Sequence, residues 1–568
     1  MISIVGDFLK SGANLLMLMV ALPALSGLLL WLLRKKYILQ LISALLLSSL
    51  NLIFALSLYS HGEFRAELPY ISFGFELSMR VYALSSIFIV IAAAALLLLS
   101  LFSVMKLKST DYGGLYSLCL FLSFAMVNGA MLSESLGLLL FFAEGLLCTL
   151  GGMLLIGNTL NPKTAVKALT ITGLADLVMM LGIIITEHSA GTGSMSEIEK
   201  LPLSGICLLG FVCIAIGALG LCGCMPFHSW IPDAADDASG VFMAAFPAAI
   251  QKIVGIYILS HAVLDIFDFR QGSAESFILI SFGALTLALA SLKALLQSNM
   301  KRLLSYLSIA QTGYMVMSIG AGTETGLIGV MFLMLNSILF MAGLFMLCSC
   351  MEKEASSQQL PASGKKITVE KACFTVLALS AAGFPGTNGF FPYVLINRIA
   401  YDENPLIFTL DLSALFLMAL SLLKFGHCVF SVKATDANKQ TQKSNLGSLI
   451  PVCTASALCI FFGLYASLPL NGFIGKAFAV SFKLSQLFEK PAVAVITVLV
   501  LIIAASFFIF GYKKGRFGNE ATHRAVKLNP DPYKFLMSAM AGYSATCMWI
   551  ERGVSWIYDK GVPGIVTA

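Results

Sequence analysis

The sequence predicts an all-α integral membrane protein with about 14–15 transmembrane helices, two of them broken. Three observations carry this. The 568 residues are 58% hydrophobic and 12% charged, with a mean hydropathy of +0.89. That is the composition of a chain immersed in lipid rather than of a large soluble core. About fifteen mostly apolar runs follow one another, each near the roughly 20 residues that cross a bilayer. Two runs are interrupted by proline and glycine in a polar setting: Met225-Pro226-Phe227-His228-Ser229-Trp230-Ile231-Pro232-Asp233-Ala234 and Gly383-Phe384-Pro385-Gly386-Thr387-Asn388-Gly389. Backbone that leaves the helix at bilayer depth strands its N–H and C=O groups, and is tolerated only where it lines a cavity or is buried in protein. Two such interruptions in corresponding halves point to a transporter built from repeats, with an ion path at the breaks.

In order, the runs lie near 13–33, 38–60, 81–105, 113–131, 136–157, 165–186, 203–224, 239–263, 274–297, 303–320, 325–349, 369–399, 406–431, 448–470 and 491–511. The longest connections, Met351–Glu370 and Val432–Asn445, are polar and short, so no soluble domain is expected. The first run flows into the second without a small-residue cleavage pattern, and no cleavable signal is expected.

Loop charge supports the count. Arg34-Lys35-Lys36, Lys106 and Lys108, Lys163 and Lys167, Lys301-Arg302, Lys365-Lys366, Lys439 and Lys513-Lys514 fall on one side. Glu63 and Glu67, Glu187, Glu197 and Glu199, Asp265 and Asp268, Glu324, Asp402 and Glu403 fall on the other. The basic side is expected to be cytoplasmic and the N-terminus to face out, in a prokaryotic inner membrane.

The net charge of +6 does not imply nucleic acid, because the lysines and arginines sit in loops. The 13 cysteines lie mostly inside apolar runs, where they act as small hydrophobes. Cys222-x-Cys224 and Cys348-x-Cys350 lack the spacing and histidines of a zinc site. No nucleotide fingerprint or cluster-binding cysteine set is present, so no redox cofactor or metal is expected in this chain.

Ionisable groups within spans are costly and mark function by default. Glu144 lies mid-run in the fifth span, Asp176 inside the sixth and Lys252 in the eighth, with nothing in its own span to neutralise it. Asp176 has a structural alternative in an ion pair with Lys163 or Lys167. Lys293 and Lys301-Arg302 flank the join of the ninth and tenth spans. Lys293 has snorkelling to the basic face as its alternative, and Lys301-Arg302 reads as positive-inside anchoring. Lys424 and His427 share one face of the thirteenth span, and Lys424 has the same snorkelling alternative. His228 stands at the first break, either capping the broken helix or relaying protons.

These stretches resemble the antiporter-like proton-translocating subunits of respiratory complex I, membrane-bound group 4 hydrogenases and Mrp-type antiporters. The resemblance runs from Pro226 through Lys252. It takes in Gln297-Ser298-Asn299-Met300-Lys301-Arg302-Leu303-Leu304-Ser305-Tyr306 with Ser308-Ile309-Ala310-Gln311-Thr312-Gly313-Tyr314, the second break with Phe390-Phe391, and Glu144. It covers roughly residues 80–430. It implies two inverted five-helix repeats, 111–265 and 266–432, with helices 7 and 12 broken. Residues 1–110 precede them with helices 1–3, and helices 14–15 over 433–511 follow. It implies a hydrated midplane path using a Glu144–Lys252 pair, each charge shifting the other's proton affinity, with Asp176, His228, Lys293, Tyr393, Lys424 and His427 as further candidate stations. Its expected partners are other membrane subunits, peripheral redox subunits, the bilayer, and protons or Na+.

The chain departs from the family pattern at several polar stations. The seventh-helix lysine is Leu221, the histidine before the eighth-helix lysine is Phe246, and the eleventh-helix region around Ser337 carries no ionisable group. The group after the second break is Tyr393. The readings left open are a proton- or cation-translocating subunit of a complex I-like or hydrogenase-like respiratory complex, a largely structural subunit of such a complex, and an Mrp-like cation or inorganic-carbon transporter subunit. Residues 512–568 form a basic segment followed by a mixed tail, Tyr533–Tyr558, that reads as an amphipathic surface helix or a weak further span. By the resemblance, residues 511–568 are expected to be too short for the long lateral helix with a final span seen in one class of these subunits.

Overall fold

The computed structural model describes residues 12–68, 77–108, 110–156, 162–351, 368–430, 446–475 and 490–513. The amphipathic tail and the basic loops carrying Lys365, Lys366 and Lys439 lie outside the described residues.

The helices run in the predicted order: α1 (Gly12–Leu32), α2 (Tyr37–His61), α3 (Ala83–Lys106), α4 (Gly113–Leu132), α5 (Leu136–Leu155), α6 (Pro162–Ala190), α7 (Gly205–Leu221), α8 (Trp230–Asp237), α9 (Gly240–Ile266), α10 (Ala274–Leu296), α11 (Met300–Gly320), α12 (Glu324–Met351), α13 (Thr368–Ala381), α14 (Phe390–Glu403), α15 (Pro405–Phe430), α16 (Leu446–Leu464) and α17 (Pro491–Lys513). Among the described residues twelve helices are long and apolar enough to cross a membrane. The other predicted spans have physical reasons to be less apolar. Two are the broken helices α7/α8 and α13/α14. The third, α11, spans 21 residues but buries Ser305, Ser308, Gln311 and Thr312. The run near 448–470 ends as α-helix at Leu464, and Pro469 falls in a π-helical segment, Leu468–Gly475.

One element escapes a search for apolar runs. Strands β1 (Phe64–Leu68) and β2 (Leu77–Val81) form an antiparallel hairpin with Phe64 opposite Val81 and Arg65 opposite Arg80. Their alternation of polar and apolar residues is the period-two signal of a strand. The hairpin rests on the α4–α5 junction, where the Glu134 amide donates to the Ser78 carbonyl at 3.1 Å.

Burial sorts the helices. The apolar window of α9 is wholly buried and that of α12 is 94% buried, whereas those of α2 and α17 are 28% buried. The first pair therefore forms the interior, and the second pair presents Leu, Ile and Phe outward, as lipid-facing helices do. Helix α9 presses tightly on α7. A Cβ at Gly255 would stand 2.6 Å from the Cys222 amide nitrogen and 2.7 Å from the Ala218 carbonyl, so only glycine allows this approach.

Candidate ion-translocation site

Both predicted breaks are non-helical. After Leu221 the chain leaves the helix through Gly223, whose φ of +69° suits glycine, and resumes through a 3₁₀ turn at Phe227–Ser229 into α8. The second break separates Ala381 from Phe390. It is tied down by reciprocal amide bonds: Asn336 Nδ2 donates to the Asn388 carbonyl at 2.7 Å, and Asn388 Nδ2 to Asn336 Oδ1 at 2.8 Å. The Asn388 amide donates to the Cys459 carbonyl of α16 at 3.0 Å, and Ser380 Oγ donates to Asn388 Oδ1. The stranded backbone groups are thus met from α12, α13 and α16.

Lys252 follows a π-helical segment, Phe246–Ile250, that includes Pro247. Proline lacks the N–H of the regular ladder, and a π turn absorbs the irregularity. Ser308 Oγ of α11 donates to the Pro247 carbonyl at 3.0 Å. The inserted residue turns the following side chains by about 100° relative to a regular helix. Lys252 is 1% exposed and its Nζ has no hydrogen-bond partner. Cys222, at the first break, lies close enough to interact with it. Neighbouring Gln251 is also buried, with neither amide atom bonded.

Glu144 and Lys252 are not joined by a direct bond: Lys252 Nζ is without a bonded partner. Glu144 is half-buried on α5 and instead acts electrostatically on Asp176 of α6. Asp176 is fully buried with both carboxylate oxygens unbonded. A pair with Lys163 or Lys167 is therefore not formed, and Lys167 Nζ instead donates to Asp233 Oδ2 at 2.8 Å. Where α5, α6, α7 and α9 meet lies a space of about 10 Å³, lined by Leu146, Leu147, Leu150, Thr172, Leu221, Phe246 and Gln251. That is close to the smallest space that holds one water. The two residues standing at usual polar stations, Leu221 and Phe246, thus form an apolar seal.

Helix α11 joins the two breaks. Thr312 Oγ1 donates to the Cys222 carbonyl at 3.4 Å, and Gln311 Nε2 donates to the Tyr393 hydroxyl at 2.6 Å. Tyr393 is fully buried on α14, and its hydroxyl also donates to the Ala381 carbonyl at 2.9 Å. The Tyr314 ring packs 4.9 Å from it, with its hydroxyl beside the carboxyl of Asp411 on α15.

Charged layers bound this interior. On the basic side, α8 ends in Asp233, Asp236 and Asp237. Besides Lys167, Arg302 donates to Asp236 at 2.6 Å, Asn299 to Asp236 at 2.8 Å, Lys301 to the Ala238 carbonyl at 3.2 Å and Thr164 to Asp237 at 2.5 Å. Lys301-Arg302 therefore fixes the broken helix rather than only anchoring the loop. His228 is buried at the break, its ring 6.2 Å from that of Tyr306, over which Lys293 Nζ sits at 5.8 Å. On the acidic side, His261 of α9 binds Asp265, lies 3.0 Å from the Tyr82 hydroxyl and stacks on Tyr257 at 5.9 Å. Glu134 is fully buried and accepts from Ser194 Oγ at 2.8 Å and the Ser196 amide at 3.2 Å.

The structure gathers Glu144 with Asp176, and His228 with Lys293. It keeps Lys252 apart from both carboxylates and sets Tyr393 in the second half. Lys424 Nζ donates to the Leu295 and Gln297 carbonyls at 2.9 and 2.8 Å, capping the end of α10, as its snorkelling alternative has it. His427 packs its ring 6.1 Å from Phe508. Asp411, His261, Tyr257 and Glu134 were not singled out from sequence.

Residues 132–418 match the family described as NADH:quinone oxidoreductase/Mrp antiporter, TM. One Na(+)/H(+) antiporter protein of Alkalihalophilus pseudofirmus is 25% identical over 468 residues, covering 80% of this chain and 94% of that protein. A second, longer Na(+)/H(+) antiporter protein of the same organism is 23% identical over 547 residues, covering 89% of this chain and 65% of its own length. Among solved structures, a chain of the Mrp complex from Dietzia sp. DQ12-45-1b superposes with a TM-score of 0.78 at 19% identity, covering 97% of this chain and 63% of that one. The chain thus spans nearly all of the first of these proteins and about two thirds of the other two.

Proposed function

This chain belongs to the NADH:quinone oxidoreductase/Mrp antiporter transmembrane family, and from that membership we propose that it is the proton- or cation-translocating membrane subunit of a multi-subunit complex. The assembly is either a complex I-like or hydrogenase-like respiratory oxidoreductase or an Mrp-like antiporter. Its membrane is the prokaryotic cytoplasmic membrane, with the N-terminus outside. Residues 111–265 and 266–432 are the proposed functional halves, and electron transfer, where the assembly performs it, belongs to other subunits.

The observation that carries this reading is Lys252. A lysine buried this deeply with no bonded partner costs on the order of several kcal/mol if charged. A purely structural role would not require it, because an apolar residue of similar length fills the same space. Asp176 on α6 and Glu144 on α5 are two carboxylates close enough to interact, with no cation bonded to Asp176. Such a pair shares protons readily. In the proposed cycle, water enters past Leu221 and Phe246 and a proton passes from the carboxylates to Lys252 Nζ. The gain of charge there drives release toward α11 and the second half. Reforming the apolar seal prevents return.

The seal itself supports a second reading, a structural subunit of low conductance, since Leu221 relays no proton. The two separate in one experiment. The native assembly is purified with its co-purifying subunits identified, reconstituted into liposomes, and assayed for proton and Na+ flux. Translocation that falls with Lys252→Met at unchanged subunit composition supports the first. Flux indifferent to that substitution supports the scaffold.

A further inference from the structure

We infer that Asp411 is a proton-binding station of the second half, reached from the centre of the molecule through Gln311, Tyr393 and Tyr314; this rests on the translocating role proposed above. Asp411 lies in the second turn of α15, near the end that carries Asp402 and Glu403, and is 0% exposed. Helix α15 packs against α10, α11, α13, α14 and α17. The groups facing the carboxyl are the Tyr314 hydroxyl from α11, and Tyr393 and Asn397 from α14. Thr497 of α17 acts through Asn397. With its amide oriented to satisfy its neighbours, Asn397 donates to Asp411 Oδ2 at 2.8 Å and to the Tyr393 carbonyl at 3.0 Å, and accepts from Thr497 Oγ1 at 3.0 Å.

No cation faces Asp411 among the described residues. Arg398 and Lys490 pair with Asp402 at the helix ends. Lys424 is spent on the α10 carbonyls at the far end of α15. Lys293 stands by Tyr306 near that same C-terminal end of α10. An ionised carboxylate without a counter-charge is costly here, whereas a protonated one is an ordinary hydrogen-bonding group.

The shell accommodates both forms. Deprotonated, the carboxylate accepts from Asn397 on Oδ2, while Oδ1 and the nearby Tyr314 hydroxyl are both buried and unbonded. Protonated, it keeps the Asn397 bond on Oδ2, and an O–H on Oδ1, which is unbonded, is donated to the Tyr314 oxygen once that hydroxyl rotates. One proton is taken up and no other bond breaks. A residue serving packing alone would need no such pair of states. Tyr314, Tyr393 and Gln311 lead from this carboxyl toward the first break, where Thr312 meets the Cys222 carbonyl. Tyr393 occupies the family's ionisable station after the second break, and the titratable group is displaced to the neighbouring helix.

The test uses a hydrophobic carbodiimide, which modifies protonated carboxyls in apolar surroundings, on the native assembly in membranes at neutral pH, with adducts located by peptide mass spectrometry. An adduct at Asp411 that declines as pH rises is expected, and Asp411→Asn should abolish it. In proteoliposomes Asp411→Asn should lower proton uptake at least about tenfold, with Asp411→Glu restoring it and subunit composition unchanged in both. An unmodified Asp411 in assemblies whose other buried carboxyls are modified would overturn the inference, as would wild-type uptake by Asp411→Asn. Protection by Na+ at fixed pH would overturn the proton assignment in favour of a cation. Because labelling does not depend on flux, an assembly that carries an Asp411 adduct but moves no ions would refute the proposed function and leave this site standing.

Discussion

Lys167 and Asp233 are joined by a 2.8 Å hydrogen bond that ties α6 to the broken end of the seventh helix. On the same α6, Asp176 keeps both carboxylate oxygens unbonded. One helix thus carries a structural cation near the basic face and an uncommitted carboxylate deeper in.

The two residues should respond oppositely to substitution. Lys167→Met and Asp233→Asn should each lower thermal stability, with a coupling of about 0.5–3 kcal/mol in a double-mutant cycle. Asp176→Asn should leave stability within roughly 1 kcal/mol but reduce proton uptake. Thermal unfolding of the purified assembly checks the first effect and liposome flux the second. A loss of stability for Asp176→Asn matching that for Lys167→Met would show that Asp176 has a structural partner.

The apolar seal should limit the rate of conduction. Leu221→Ala enlarges the void of about 10 Å³ at a cost of roughly 2–5 kcal/mol in stability, and lets in further water. Proton uptake should rise, and passive leak with it. Unchanged flux would mean that protons do not cross between α6 and α9 at this point.

Much of this arrangement was legible in the sequence because both breaks and the deep charges violate the demands of lipid. Proline and glycine amid polar residues could not continue a helix, although Pro226 and Gly386 themselves are exposed, and Glu144, Asp176 and Lys252 could only be costly. What was not legible depends on how far side chains reach and on which helices meet. Lys424 reads as a mid-membrane charge, but its long stem carries the ammonium to the end of α10. Asp265 reads as part of an acidic loop with Asp268, and nothing in the sequence sets Asp411 apart, yet packing buries Asp411 completely and bonds Asp265 to His261. The spacing of Glu144 and Lys252 in sequence says nothing of the apolar packing of Leu221 and Phe246 near the first break.

Lys424 supplies a control. Lys424→Met removes two bonds to the α10 carbonyls and should cost about 1–3 kcal/mol of stability, leaving proton uptake per assembled complex near wild type. A selective loss of uptake at full stability would return Lys424 to the ion path.

Sidedness is checked with single cysteines in a background from which reactive native thiols are removed. Asp111→Cys, in the loop between α3 and α4, and Gly191→Cys, after α6, lie on opposite sides by the charge rule. An impermeant thiol reagent added to intact cells should label Gly191→Cys and spare Asp111→Cys. The reverse pattern would invert the orientation.

The central claim is that Lys252 carries the moving proton. Its most direct test is the initial rate of proton uptake by proteoliposomes holding the whole assembly with Lys252→Met, set against the amount of assembled complex. The account predicts normal assembly, stability equal to or above wild type because a lone buried amine is replaced by an apolar side chain of similar length, and uptake lowered roughly a hundredfold. Wild-type uptake by a fully assembled Lys252→Met complex would contradict it.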